Sequence, residues 1–147
     1  MMGGMSPDSF APVVVETIVP AAPQEAFVAF TARMDEWWDM LLTPDAATFT
    51  GIEIDPKGGD VSMRHGDERH VWGRVTTWEP GAAYAQEFWL GHDSAHPTTL
   101  TVTFRAEGDD TRVRLEHDGW STATAPVREK YTHWRDLLDR YTAYVAR

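Results

Sequence analysis

His117 closes the alternating run Val113, Leu115, His117, and so faces the same way as two apolar side chains just ahead of an Asp118-Gly119 turn. An imidazole there can donate, accept or carry a proton near neutral pH. Three roles are open to it: a hydrogen bond to its own scaffold, a contact to a bound ligand, or acid-base catalysis. Gln86 raises the same question. Alternation in AYAQEFW sets Tyr84, Gln86 and Phe88 on one face, taken as inward, with Ala85, Glu87 and Trp89 on the other. A buried amide left unpaired costs about 1–3 kcal/mol, so Gln86 needs a partner from protein, water or ligand.

The remaining polar residues form no catalytic pattern. His92 and His96 stand four apart, which would suit a metal on a helix, but Gly91 and Pro97 make GHDSAHP a loop, and no metal is expected. His65 and His70 flank a GDE turn and read as exposed; His133 borders a helical stripe, at a pocket edge or on the surface. Asp35 and Asp39, at i and i+4 on a predicted helix, read as solvated charge. No serine lies in G-x-S-x-G, and Lys57-Gly58-Gly59 is a turn and not a phosphate cradle. No catalytic residue and no cofactor is therefore expected. Were the protein an enzyme, Arg74 and Tyr131 would be the first suspects.

Composition narrows the setting. The chain has 147 residues, 42% of them hydrophobic, and no apolar run of the about eighteen residues that a membrane span needs. It reads as a flexible N-terminal leader over 1–11 and a single domain over 12–147, with no signal-peptide pattern and a cytoplasmic location. The absence of cysteine excludes disulfides, thiolate nucleophiles and cysteine metal sites. A formal charge of -10 repels phosphate backbones and anionic lipid surfaces, so neither nucleic acid nor membrane is expected as a partner.

The elements that must position these residues follow from periodicity. VVVETIV, from Val13 to Val19, is β-branched and strand-like; after Pro20 to Pro23, QEAFVAFTARMDEWWDMLL has helical spacing with Phe27, Phe30, Met34, Trp37 and Trp38 on one face. Six strand-like runs follow, around Phe49–Ile54, Asp60–Arg64, His70–Trp78, Tyr84–Leu90, Thr98–Ala106 and Thr111–Asp118, divided by Gly-, Pro- and Asp-rich turns. Leu100, Val102 and Phe104 alternate with polar residues, as do Val113 and Leu115, so these strands have one apolar and one wet face. From about Ala125 to Ala146, Val127, Tyr131, Trp134, Leu138, Tyr141 and Val145 recur in steps of four and three, which predicts a long amphipathic helix. Such a helix laid on the apolar side of an antiparallel sheet is an α+β arrangement.

The chain spends seven tryptophans on so small a domain. Trp37, Trp38 and Trp134 fall on helix stripes facing the sheet. Trp72 and Trp78 take the alternate face from Val71 and Val75 and are placed on the sheet's back. Trp120 follows the Asp118-Gly119 turn, where a cavity mouth would lie. The meeting of the apolar faces predicts a pocket between sheet and final helix, lined by Phe88, Leu100, Val102, Val113, Leu115, Tyr131, Trp134 and Leu138.

PQEAFVAFTARMDEWW, WGRVTTWEPG, DTRVRLEHDGW and a closing helix carrying Tyr131, Trp134, Leu138 and Tyr141 occur here in that order. Over roughly Val13 to Val145 the chain thereby resembles the SRPBCC superfamily of START-like, birch-pollen-allergen-like proteins, in the branch called activator of heat-shock-protein-90 ATPase homologue-like. Where many relatives carry Gly-Gly-Arg and an aromatic residue, this chain has Gly58, Gly59, Asp60 and Val61. The resemblance implies a helix-grip fold: a seven-stranded antiparallel sheet curved around the C-terminal helix, two short helices after the first strand, and an elongated cavity between. Relatives use that cavity for lipids, sterols, polyketides and plant hormones.

Three functions follow as expectations. The first is non-catalytic binding of a small hydrophobic or aromatic molecule, with Trp37, Trp38, Trp120 and Trp134 at the gate and Phe88, Val102, Leu115, Tyr131 and Leu138 along the wall. His117 and Gln86 would orient the ligand's polar end. The second is a co-chaperone-like protein interaction module, and the third a polyketide cyclase- or aromatase-like enzyme. A homodimer and a chaperone are the protein partners considered.

Overall fold

The computed structural model describes residues 10–39, 47–90, 94–128 and 133–147; Tyr131 and His92 lie outside them. The β-branched run Val13–Val19 forms β1, where the pleat buries Val15 and Val19 and leaves Val14 and Ile18 outside. Pro23 then starts α1 (Pro23–Thr31), where its missing N–H and fixed φ carry no penalty. Phe27 and Phe30 recur three apart on the buried face of α1, and a single further turn, α2 (Met34–Trp37), delivers Trp37 and Trp38 into the interior.

Six strands follow: β2 (Phe49–Ile54), β3 (Asp60–His65), β4 (Glu68–Glu79), β5 (Ala83–Phe88), β6 (Thr98–Glu107) and β7 (Asp110–Asp118). They form one seven-stranded antiparallel sheet in the order β1-β7-β6-β5-β4-β3-β2, so β1 crosses over to join the last strand. Cross-strand partners share a face. Tyr84 opposite Val102, Gln86 opposite Leu100, and Val102 opposite Leu115 therefore continue one buried surface across β5, β6 and β7.

The predicted helix from Ala125 to Ala146 is seen as α3 (Ala125–Arg128) and α4 (Trp134–Ala146), with 129–132 outside the described residues. Trp134, Leu137, Leu138 and Tyr141 form the buried stripe of α4. Burying each such side chain favours the fold by about 1.5–3 kcal/mol. Polar contacts fix where the helix lies: Tyr141 Oη donates to the Ala26 carbonyl of α1 at 2.7 Å, and Arg140 Nε to the Trp37 carbonyl at the end of α2 at 2.9 Å. The expected α+β helix-grip architecture is present.

The expectation that Trp72 and Trp78 cover the back of the sheet is incorrect. Strict alternation fails in β4 because it carries two one-residue register shifts. Against β3, Val61 pairs with Gly73 but Ser62 with Val71, leaving Trp72 over; against β5, Val75 pairs with Gln86 but Thr77 with Ala85, leaving Thr76 over. Each shift resets which face the following residues take. Trp72, Val75 and Trp78, three apart in sequence, therefore all point inward: Trp72 is 2% exposed, and Trp78 meets Phe27 edge-on at 5.0 Å.

Candidate functional site

His117 lies fully buried at the end of β7, boxed by three aromatic rings: Phe88 at 4.6 Å between centroids, Trp120 at 4.4 Å and Trp134 at 6.0 Å. Gly119 makes the box possible. Its φ of +79° is one that side-chain-bearing residues rarely adopt, and it returns the chain so that Trp120 stacks against His117 and donates its indole N–H to the His117 carbonyl at 3.0 Å.

The protonation of this imidazole follows from its partners. Trp134 Nε1 lies 3.0 Å from His117 Nδ1, and an indole nitrogen can only donate, so Nδ1 is the acceptor. On the other side Nε2 is 2.7 Å from the hydroxyl of Thr98, whose own proton goes to the Phe88 carbonyl at 3.1 Å. The ring is neutral with its proton on Nε2, and the sequence Trp134, His117, Thr98, Phe88 is a directed chain of donors. Thr98 was not singled out from the sequence. Its signal was there: two residues before Leu100, it extends the buried face of β6 toward the end at which His117 sits.

Gln86 is also fully buried, and its amide is matched within the protein. The Tyr84 hydroxyl donates to Oε1 at 2.7 Å, while Nε2 donates to the Glu87 carbonyl at 3.2 Å. Burial pushes the Tyr84 phenol well above its ordinary range, keeping it a donor. Gly73 of β4 provides the room, since a methyl group there would stand 2.3 Å from Gln86 Nε2 and 2.6 Å from the Glu87 carbonyl.

Around these polar groups the aromatic side chains form two connected sets. In one, Trp38 meets Trp72 at 5.7 Å, Trp72 meets Phe88 at 5.3 Å, Phe88 meets Trp134 at 6.0 Å, and Trp134 returns to Trp38 at 6.0 Å. The closed circuit joins α2, β4, β5 and α4. In the other, Trp37 packs with Phe30 and Tyr141, its indole N–H held by the Ala29 carbonyl at 2.9 Å. The structure thus brings Trp38, Phe88, His117, Trp120 and Trp134 together. Val102, Leu115 and Leu138 are buried in the same core, and Trp37 belongs to the neighbouring set. Trp72 is the member missed by sequence reasoning, because only the strand pairing reveals its inward turn.

Other expected positions separate from this centre. Arg74 is exposed, opposite Glu87 on the outer face, and so cannot serve an internal reaction. His133 is largely exposed beside Asp136. His65, expected on the surface, is 5% exposed: it occupies the inward-facing position after Met63 on β3, between Phe49 and His70. Among the described residues no group of three His, Asp or Glu side chains could hold a metal ion, and no helix is long and apolar enough to cross a membrane.

A curved antiparallel sheet closed by a C-terminal helix over an aromatic interior defines an SRPBCC-type helix-grip domain. The family described as Activator of Hsp90 ATPase homolog 1-like protein matches residues 20–146, and the chain belongs to it. No protein of curated function matches it in sequence. Among solved structures it is similar to the Aha1 dimer from Colwellia psychrerythraea, at 17% identity and a TM-score of 0.67 over 92% of this chain and 96% of that one. It is similar also to CalC from Micromonospora echinospora, a self-sacrificing resistance protein, at 21% identity and a TM-score of 0.68 over 93% and 95%. A third is Txn09, an anthrahydroquino-γ-pyrone synthase complexed with SUM, at 23% identity and a TM-score of 0.63 over 94% and 99%. At these identities the likeness is one of fold.

Proposed function

We propose that the interior between the sheet and α4 binds a small, largely apolar or aromatic molecule without transforming it. The carrying observation is the closed circuit of contacts among Trp38, Trp72, Phe88 and Trp134, which gathers four rings from the end of α2, β4, β5 and α4 into one aromatic cluster between sheet and helix. Rings in that arrangement suit a flat guest. Val102, Leu115 and Leu138 continue the apolar wall, Trp37 and Trp120 extend it toward the ends, and the self-matched His117 and Gln86 fix its shape. Txn09, a synthase of this fold complexed with SUM, supports the binding part of the reading and not the absence of a reaction. Native mass spectrometry of freshly purified protein, with tryptophan fluorescence titration against flat aromatic and fatty compounds, tests it. The expected result is a co-purifying small molecule or saturable quenching by flat compounds; a protein that carries nothing and binds nothing across the panel would reject it.

A protein-contact role is the second reading. Val14 and Ile18, 42% and 45% exposed, lie on the outer face of the edge strand β1 with Glu16 between them, and a solved structure of this fold is a dimer. Sedimentation of the parent and of a Val14→Glu, Ile18→Glu variant tests it: a dimer lost on substitution supports the contact, and a monomeric parent rejects self-association.

A further inference from the structure

The interior contains one indole that differs from its neighbours. Trp37, Trp89, Trp120 and Trp134 each donate the indole N–H to a protein acceptor. Trp72, 2% exposed, leaves Nε1 buried and without a hydrogen-bond partner among the described residues. A buried donor in that state costs about 1–3 kcal/mol, and native folds rarely tolerate one without a reason. The position is also not a passive one. Trp72 is the residue left over at the β3–β4 register shift, the irregularity that turns this side chain inward when plain alternation would have put it outside. Bulges of this kind re-aim side chains and are over-represented beside active sites. Among the described residues the other buried side-chain nitrogens or oxygens without partners are the ring nitrogens of His65, which lies farther along β3 beside half-exposed His70.

We infer that the Trp72 indole N–H is the polar anchor of the interior site, and that the bound molecule is a neutral, flat, apolar compound with a carbonyl-type oxygen. The inference rests on the small-molecule reading proposed above. An indole N–H can meet only an acceptor, which excludes a guest whose polar groups are donors alone. Its ring neighbours, Trp38 at 5.7 Å and Phe88 at 5.3 Å, are uncharged aromatics. Placing a carboxylate between these rings would strip its hydration, and the nearby Arg140 guanidinium is already engaged with the Trp37 and Trp38 carbonyls, so the acceptor is neutral. His117 and Gln86, with acceptors and donors of their own chain already in place, leave this role to Trp72.

The matched pair 9-fluorenone and fluorene isolates the oxygen, since both are flat tricyclic compounds and only the first has a carbonyl. Their affinities for the parent protein and for Trp72→Phe, which keeps an aromatic ring but removes the N–H, are measured by fluorescence titration. Indole ¹⁵N–¹H spectra of the parent are recorded with each compound. The expected result is a roughly fivefold loss of fluorenone affinity in Trp72→Phe, with the fluorene affinity changed less than about twofold. Fluorenone alone should move the Trp72 indole proton downfield. Equal losses for both compounds, or no loss for fluorenone, would overturn the anchor while leaving small-molecule binding in place. Failure of the parent to bind either compound would reject the anchor and count against the binding reading too. If Trp72→Phe does not fold, the parent spectra decide: a Trp72 indole signal indifferent to fluorenone overturns the assignment.

Discussion

Trp134 of α4 donates its indole N–H to Nδ1 of His117 on β7 at 3.0 Å. The contact makes the imidazole an acceptor on one side and, through Thr98, a donor on the other. In ¹⁵N spectra His117 is therefore expected as the neutral Nε2–H tautomer, with Nδ1 resonating as the unprotonated nitrogen. A protonated ring, or the Nδ1–H tautomer, would refute the assignment. His117→Leu leaves Trp134 Nε1 and the Thr98 hydroxyl short of a partner, and urea unfolding should show a loss of about 1–3 kcal/mol for each group stranded. A variant as stable as the parent would show that the donor chain adds nothing to folding.

Gly73→Ala forces a methyl group against Gln86 Nε2 and the Glu87 carbonyl. The side chain can move, but the carbonyl belongs to the neighbouring strand. Thermal or urea unfolding should record a loss of about 1–3 kcal/mol, relieved in part by adding Gln86→Ala. Full stability of the single variant would mean that β4 and β5 separate freely at this point.

Gly119→Ala places a side chain at a φ of +79° and, beyond the backbone strain of about 1–2 kcal/mol, loosens the turn that holds Trp120 on His117. Unfolding at a lower urea midpoint, with red-shifted tryptophan emission from a better-hydrated Trp120, is the expected outcome. An unchanged emission spectrum would place Trp120 independently of the turn.

Alkaline stability follows from Tyr84 and Tyr141, both pushed up by burial. Each phenol binds its proton more tightly in the folded chain than in the unfolded one, whose tyrosines titrate near about pH 10. Above that pH the native state holds the extra protons, so stability is complete below about pH 10 and falls as the pH rises past it. Absorbance at tyrosinate wavelengths should show these two residues ionising only together with unfolding. Their titration in a still-folded protein would contradict the burial.

Most of the fold was legible because its signals are local. The alternation of Leu100, Val102 and Phe104, the helical spacing of Trp134, Leu138 and Tyr141, and the glycine turns each act within a few residues. The site was legible only where its residues obey those periods, as His117, Phe88 and Trp134 do. Trp72 and His65 were placed on the wrong side for different reasons. The inward turn of Trp72 depends on how β4 pairs with β3, a relation between distant segments that period-two reading cannot contain. His65 sits next to a turn, where polarity argued for exposure, yet its place in the pleat sets it inward between Phe49 and His70. The partners of Gln86 and His117 were out of reach for a related reason, since one residue type can be satisfied by scaffold or by guest and only distances separate the two.

The donor chain from Trp134 through His117 and Thr98 to the Phe88 carbonyl crosses from α4 over β7 and β6 to β5. Mechanically it is a tie rod. Lifting α4 away from the sheet breaks the chain at its first link, from Trp134 to His117, so the helix and these three strands loosen as one body. Their amides should exchange with solvent at the slow rate of global opening, whereas parts of the domain outside the rod remain free to move on faster timescales. Traffic into the interior would then leave the grip of the helix on the sheet undisturbed.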